Sequence, residues 1–158
     1  MRVVVLAVGA PKNRELAGAI REYEARIAHY FSYDARDVSR QRIPTSGDTR
    51  SIPATESRSL LGKVPAGFEV IAIDQRGERW SSEQLSDHLD ELALHGRPGV
   101  AFLIGGPLGL SEAAREEADR VLSLSSFTLP HELARLVLVE QIYRAGTIRR
   151  GEPYHKNG

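Results

Sequence analysis

The fold of this chain is most constrained by the stretch Val100-Ala-Phe-Leu-Ile-Gly-Gly-Pro-Leu-Gly-Leu-Ser111. Its first five residues are continuously apolar, which predicts a strand that is buried on both faces. The glycines at 105, 106 and 109 predict a tight turn, and Ser111 is a residue type that caps the first turn of a helix. A buried strand that leads through a glycine turn into a helix predicts an α/β domain with a mostly parallel sheet.

Other apolar runs predict further strands of the same sheet. Arg2–Val8 and Phe68–Ile73 are nearly continuous apolar runs, and the second is expected to end at Asp74 and Gly77, which are turn-forming residues. Val121–Ser125 predicts one more strand. Because the predicted strands alternate with helices, we expect a mostly parallel sheet that helices cover on both faces.

Capping residues predict where the helices begin. Asn13 is expected to cap the first helix, and Ser81 with Gln84 forms a capping box for a later one. Thr128 is expected to cap the last helix, whose first turn would then contain Pro130, where proline is tolerated.

The segment before the second apolar run is the least regular part of the chain. Tyr33–Ile43 is polar and alternating, which predicts a half-exposed strand. Residues 44–66 are rich in proline and glycine, so we expect a mobile loop around a short helix near Ala54–Leu61.

Composition narrows the class of protein. The chain has 158 residues with 41% hydrophobic and 27% charged residues, as expected for one globular domain spanning 1–158. It has no cysteine, which excludes disulfides, thiolate nucleophiles and cysteine-ligated metals. None of its five histidines is four residues from another, so no pair has the spacing of a metal site on a helix. The 21 basic and 21 acidic residues balance, and no run approaches the roughly 18 apolar residues of a membrane span. We therefore expect a soluble, cytoplasmic protein that binds neither a metal nor a membrane.

The last predicted helix has apolar residues on more than one face, at positions 133, 136–139, 142 and 143. A helix that lies on the outside of a sheet needs only one apolar stripe. Either its own chain encloses this helix completely, or a second copy covers the other face. We expect the second, a homodimer with Val139 and Ile142 in its interface.

Ligands of parallel sheets bind beyond the carboxyl ends of the strands, so the segments after Ile73, Ile104 and Ser125 are the places to expect a site. The glycines after Ile104 predict a close approach of backbone to ligand, and a β-carbon on Gly106 would fill that space. Asp74 could hold ribose hydroxyls, although its position before Arg76 and Gly77 favours a turn-forming role.

Two further groups of residues could carry chemistry. His131, in the first turn of a helix, is expected to have a lowered pKa and to stay neutral, because the helix N-terminus disfavours its positive charge. The C-terminal segment places Tyr154 and His155 near Arg144 and Lys156. Aromatic and basic side chains together can stack a base and hold its phosphate, although a solvated tail has the same composition.

Four segments together are more specific than any one of them. They are Leu103–Ser111, Leu122–His131, the helical segment from Arg135 through Glu140, Gln141, Tyr143 and Arg144 to Ala145, and Pro153–Lys156. In this order they resemble the RlmH family of bacterial ribosomal RNA large-subunit methyltransferases, which belongs to the SPOUT superfamily. The resemblance covers essentially the whole chain, is strongest over 99–156 and is loosest over 44–66.

The resemblance implies a SPOUT-type fold, with a mostly parallel sheet flanked by helices and a C-terminal trefoil knot, working as a homodimer. It implies transfer of a methyl group from S-adenosylmethionine to N3 of a pseudouridine in large-subunit ribosomal RNA within the ribosome. The cofactor-binding positions that it implies are Ile73, Gly105, Gly106, Leu124, Ser125, Ser126, Phe127, Thr128 and Leu129.

The resemblance also implies that Arg144, Tyr154 and His155 serve substrate recognition and catalysis. Arg144 would stabilise the anion formed when N3 loses its proton, and either His155 or a water molecule would take that proton. The chain departs from the family pattern at Leu108, where an acidic residue is usual. The alternatives are a SPOUT enzyme with another target, such as tRNA, and a ribosome-binding module without a cofactor.

Overall fold

The computed structural model describes residues 1–157, so Gly158, the end of the predicted domain, lies outside the described residues. Five strands form one sheet in the order β2-β1-β4-β3-β5, and all neighbouring strands are parallel. The strands are β1 (Arg2–Val8), β2 (Ser32–Val38), β3 (Glu69–Arg79), β4 (Gly99–Ile104) and β5 (Arg120–Ser123). The helices are α1 (Arg14–Ile27), α2 (Ser51–Leu61), α3 (Ser82–Leu94), α4 (Glu112–Glu117) and α5 (His131–Arg149), followed by a 3₁₀ turn (Pro153–Asn157).

Most of the predicted helix starts are confirmed. The Asn13 side chain accepts a hydrogen bond from the backbone N–H of Leu16, and the Ser81–Gln84 capping box is complete. Ser111 caps α4 in the same way. The prediction for the last helix is wrong, because its N-cap is Pro130 and not Thr128.

Strand β3 does not end at Asp74 and Gly77 as expected. It continues to Arg79, and its pairing with β5 shifts register between Ile73 and Glu78. A β-carbon on Gly77 would lie 2.5 Å from the carbonyl carbon of Val121 in β5. Glycine is therefore required at position 77, because the backbones of β3 and β5 approach closely there. In a sequence, a glycine can indicate such a close approach as well as a turn.

The irregular segment before β3 also differs in its bounds. Strand β2 ends at Val38, five residues before the predicted end, and α2 begins at Ser51, earlier than the expected Ala54. Ile52 and Leu60 of α2 are buried, so this helix belongs to the packed structure.

Helices cover both faces of the sheet, which confirms the predicted α/β architecture. On one face, α1, α3 and α5 pack over a core that includes Phe102 and Ile71. On the other face, the α2 residue Leu60 packs with Leu6 and Leu103.

Helix α5 lies between α1 and α3 of its own chain. Val139 and Ile142 are fully buried there, so the expectation that a second copy covers these two side chains is wrong. The half-buried Leu133 and Val137 of α5 belong to neither core cluster.

Candidate active site

A cavity of about 1000 Å³ lies at the carboxyl ends of β4 and β5 and beside residues 73–76 in the middle of β3. Its walls come from the strand ends, from the glycine loop (Gly105–Gly109) and from the tip segment (Leu124–Leu129). The structure brings eight of the nine predicted cofactor residues to it: Ile73, Gly105, Gly106, Leu124, Ser125, Phe127, Thr128 and Leu129. Ser126 is the exception, since it does not line the cavity and its hydroxyl accepts a hydrogen bond from Arg79.

The glycine loop folds tightly on itself. The N–H of Gly109 donates to the carbonyl of Gly106 over 2.9 Å. A β-carbon on Gly105 would lie 2.6 Å from the carbonyl carbon of Gly109 and 2.7 Å from the nitrogen of Leu110. Gly109 has φ +78°, a conformation that other residues rarely adopt. The loop therefore requires glycine for reasons internal to the chain.

The expectation that a β-carbon on Gly106 would fill ligand space is wrong. That carbon would lie 3.1 Å from Cγ1 of Val8 and 3.2 Å from Oε1 of Glu56. This side of Gly106 faces the protein interior, and its backbone forms the cavity wall.

Two buried polar side chains of α2 support the glycine loop from behind. Glu56 and Ser57 are each 2% exposed. The Ser57 hydroxyl accepts a hydrogen bond from the backbone N–H of Ser111 over 2.9 Å, and Oε2 of Glu56 accepts one from the N–H of Gln41 over 3.0 Å. Sequence reasoning missed both residues, although they lie within the short helix expected near Ala54–Leu61, because no local pattern showed what that helix packs against.

The tip segment is held by short hydrogen-bonded turns. The Ser123 hydroxyl donates to the carbonyl of Ser125 over 2.9 Å, and the N–H of Phe127 donates to the Ser125 hydroxyl over 2.9 Å. The Thr128 hydroxyl donates to Oε1 of Gln75 over 3.0 Å, which joins this segment to β3. The Phe127 side chain is 83% exposed, so the segment presents an aromatic ring at the cavity mouth.

Asp74 lies inside β3, so the turn-forming role that its sequence position favours is wrong. Its Oδ1 accepts a hydrogen bond from the N–H of Arg76 over 2.9 Å, and its Oδ2 pairs with Arg115 over 3.4 Å. Arg115 also donates to the carbonyl of Leu110 over 2.7 Å. The carboxylate therefore helps to tie β3 to the glycine loop, and its oxygens already have partners in the chain.

His131 also lines the cavity, at the first turn of α5. Its Nε2 lies 2.9 Å from Nη2 of Arg40. The pKa of His131 is lowered, as predicted from sequence, but the causes are burial of the ring first and the charge of Arg40 second. The imidazole is therefore neutral at physiological pH.

Arg144, Tyr154 and His155 do not line this cavity within the described chain. Nη2 of Arg144 donates to Oε1 of Glu140 over 2.8 Å, and the Tyr154 hydroxyl donates to the same oxygen over 3.0 Å. The Arg144 guanidinium lies 4.9 Å from the centre of the Tyr154 ring. Arg144 is about 20 Å further along the axis of α5 than His131, at 1.5 Å per residue.

The surroundings of Arg144 and Tyr154 determine the charge that each carries at neutral pH. Burial first, then hydrogen bonds with Tyr23 and Glu140, raise the pKa of Tyr154, so its phenol is protonated. Glu140 raises the pKa of Arg144, which is a cation. Nδ1 of His155 is buried and has no hydrogen-bond partner within residues 1–157.

Comparison with known proteins identifies the family. The family model described as "Predicted SPOUT methyltransferase" matches residues 1–155, almost the whole chain. The chain belongs to this family.

Similar proteins of assigned function confirm the resemblance of this SPOUT chain to the RlmH family. The protein "Ribosomal RNA large subunit methyltransferase H" of Gemmatimonas aurantiaca is 46% identical over 157 residues, which are 99% of this chain and 100% of that protein. The protein of the same name from Bacillus pumilus is 41% identical over 159 residues, with 99% and 100% coverage.

Solved structures with the SPOUT chain's fold include a probable methyltransferase from Bordetella pertussis. It has a TM-score of 0.55 and 15% identity, covering 91% of this chain and 95% of that one. A putative methylase family protein from Neisseria gonorrhoeae has a TM-score of 0.51 and 15% identity, with 90% and 80% coverage. At this identity the similarity shows the fold alone.

Two negative findings concern the part of the SPOUT chain that the structure describes. No three or more histidine or acidic side chains there form a group that could hold a metal ion. No described helix is long and apolar enough to cross a membrane.

Proposed function

We propose that this chain transfers a methyl group from S-adenosylmethionine to N3 of a pseudouridine in large-subunit ribosomal RNA. The observation that carries the proposal is the cavity where the glycine loop and the tip segment meet, in a chain 46% identical to a "Ribosomal RNA large subunit methyltransferase H". Both loops match segments on which the resemblance to that family rests.

The residues of the cavity fit this cofactor. A volume of about 1000 Å³ is sufficient for a nucleoside-sized ligand. Ile73, Leu124 and Leu129 offer apolar side chains to an adenosyl group, and the glycine loop offers backbone groups. The loop lacks the lysine and hydroxyl pair of a phosphate-binding loop, as suits a ligand without phosphates. When bound, the sulfonium supplies an already activated methyl group.

The chain's own residues must then prepare the acceptor. N3 of pseudouridine lies between two carbonyl groups and becomes a good nucleophile when it loses its proton. Arg144 would stabilise the negative charge that spreads over those carbonyl oxygens. His155 or a water molecule would take the proton.

A homodimer brings these groups to the cofactor in this proposal. Arg144 lies about 20 Å along α5 from the cavity residue His131 in the same chain. Leu133 and Val137 of α5 are half-buried apolar side chains outside both core clusters, and they support a contact with a second copy. The C-terminal turn of one subunit would then complete the site of the other.

Two further features belong to the same proposal. Residues 1–158 form a single domain, which the two core clusters on opposite faces of one sheet support. The chain carries the trefoil knot of the SPOUT fold, which the family match over residues 1–155 supports.

Mass spectrometry of RNA tests the reaction. Large-subunit RNA from cells that lack this protein should lose one methyl group at a pseudouridine, and the purified protein with S-adenosylmethionine should restore it on isolated ribosomes. A methyl group lost from tRNA would identify a different target. Unchanged RNA, together with no binding of S-adenosylmethionine in calorimetry, would favour a ribosome-binding module.

Mixed dimers test the crossed site. Gly105→Val disrupts the cavity of one subunit, and deletion of 153–158 removes the tail of the other. If the tail acts across the interface, the mixed dimer contains one intact site, and activity partly returns; if it acts within its own subunit, both sites are defective. Inactive mixed dimers whose composition has been verified would contradict the arrangement.

A further inference from the structure

The cavity wall contains one titratable ring outside the cofactor positions discussed above. His131 is the first residue of α5, and its side chain reaches the same cavity as the glycine loop and the tip segment. Neither the reaction as proposed nor its assigned residues uses this ring.

Arg40 fixes the protonation state of His131. An arginine guanidinium can only donate hydrogen bonds, so the contact of 2.9 Å between Nη2 of Arg40 and Nε2 of His131 requires Nε2 to accept. The neutral ring must then carry its proton on Nδ1. Within residues 1–157, no group forms a hydrogen bond with Nδ1.

Glu56 fixes the backbone beside Arg40. Its carboxylate is 2% exposed, and its Oε2 accepts the N–H of Gln41, the next residue along the chain. Its other oxygen, Oε1, has no hydrogen-bond partner in the described chain and lies against Gly106. One buried side chain thus links the segment that carries Arg40 with the glycine loop.

We propose that His131 donates a hydrogen bond from Nδ1 to an acceptor atom of the bound cofactor, and that Arg40 and Glu56 are positioning residues for that ring. The inference rests on the proposed function, because the ligand is S-adenosylmethionine. The neutral imidazole of His131 is then a hydrogen-bond donor in the cavity wall, and the Arg40 cation sets its tautomer.

Two substitutions of His131 separate this role from a structural one. In His131→Asn the amide N–H₂ occupies the position of Nδ1, so a donor to the ligand remains. In His131→Gln the amide occupies the position of Nε2, so only the contact with Arg40 remains. We expect calorimetry with S-adenosylmethionine to give affinity within about threefold of wild type for the asparagine and about tenfold weaker for the glutamine, as for loss of one hydrogen bond.

The opposite order of affinities would overturn the proposal, since the ring would then matter only as a partner of Arg40. Normal cofactor affinity of the glutamine variant with weakened RNA binding would also overturn it, because the contact would be to RNA. The wild-type titration is run first. Absence of binding there refutes the proposed function itself and is distinct from either of these outcomes.

The positioning role has its own readout. The charged groups that influence His131 are Arg40 and Lys12, which disfavour the imidazolium, and Glu132 and Glu56, which favour it. We expect nitrogen NMR shifts of the wild-type protein at neutral pH to show protonated Nδ1 and unprotonated Nε2. Arg40→Met removes the donor to Nε2, so the variant should populate both neutral tautomers of His131 and bind the cofactor more weakly at the same pH. Protonation on Nε2 in the wild-type protein, or an unchanged tautomer and affinity in the variant, would refute the positioning role.

Discussion

Substitution of Gly105 by alanine tests the internal construction of the cavity wall. The added β-carbon would lie 2.6 Å from the carbonyl carbon of Gly109, while ordinary contacts of such a carbon begin near 3.4 Å. Both of its nearest neighbours are backbone atoms, so no side chain can rotate away. The far side of the loop must move by roughly 0.8 Å, and overpacking of this kind costs about 1–3 kcal/mol.

The expected results follow from that displacement. For a domain of this size the melting temperature should fall by about 2–12 °C in calorimetry. Affinity for S-adenosylmethionine should fall by about tenfold or more, because the displaced backbone of Gly109 and Leu110 lines the cavity. Both quantities are measured on the purified variant, the second by titration below its melting temperature.

Gly109→Ala is the matched control in the same loop. Its β-carbon would meet no atom within 4 Å, so only the cost of φ +78° remains, about 1–2 kcal/mol. We therefore expect this variant to lose stability with a smaller loss of affinity. Wild-type melting temperature and affinity in Gly105→Ala would refute the reasoning.

Three further predictions concern the interface, a buried ion pair and pH. Val137→Glu should convert the proposed dimer into folded monomers in light scattering, because an unpaired charge in an apolar interface is costly while this side chain is only half-buried within its own chain. A variant that stays dimeric would place the interface elsewhere. Arg135→Met should lower the free energy of unfolding in urea by about 3 kcal/mol, since Arg135 is 7% exposed and pairs with two carboxylates. The control Arg50→Met, at an exposed position, should change the free energy of unfolding little. Equal effects of the two substitutions would contradict the burial argument. The hydrogen bond from Tyr30 to Glu152 raises the pKa of that phenol to about 12; stability from this contact is therefore complete below pH 10 and is lost as pH rises towards 12. Tyr30→Phe should flatten that part of the stability profile, and an unchanged profile would show that another group titrates there.

Local chemistry made much of the fold predictable. Apolar runs predicted β1 and β4, and side-chain caps predicted the starts of α1 and α3, because each signal acts within a few residues. The continuation of β3 past Gly77 was not predictable, because glycine marks either a turn or a close backbone contact. Only the position of β5 beside β3 decides between them.

The candidate site was predictable to the same extent. The parallel sheet implied that the segments after Ile73 and Ile104 would meet at one edge, and both line one cavity, although the first is a continuation of β3 and not a loop. The contributions of Glu56 and Arg40 depend on how the segment between β2 and β3 returns to the sheet, which no local pattern specifies. For the same reason the sequence did not show that Arg144 and Tyr154, which pack together as expected, lie away from the cavity of their own chain.

The placement of α5 has a consequence for how this protein acquires its structure. Its side chains Leu138, Val139 and Ile142 close the core between α1 and α3, yet α5 follows both of those helices along the chain. The apolar faces of α1 and α3 therefore stay uncovered until the ribosome has made α5, and native packing on this face has to wait for that helix. Parallel pairing between distant strands slows the same step, so the nascent chain is most prone to aggregation before α5 emerges.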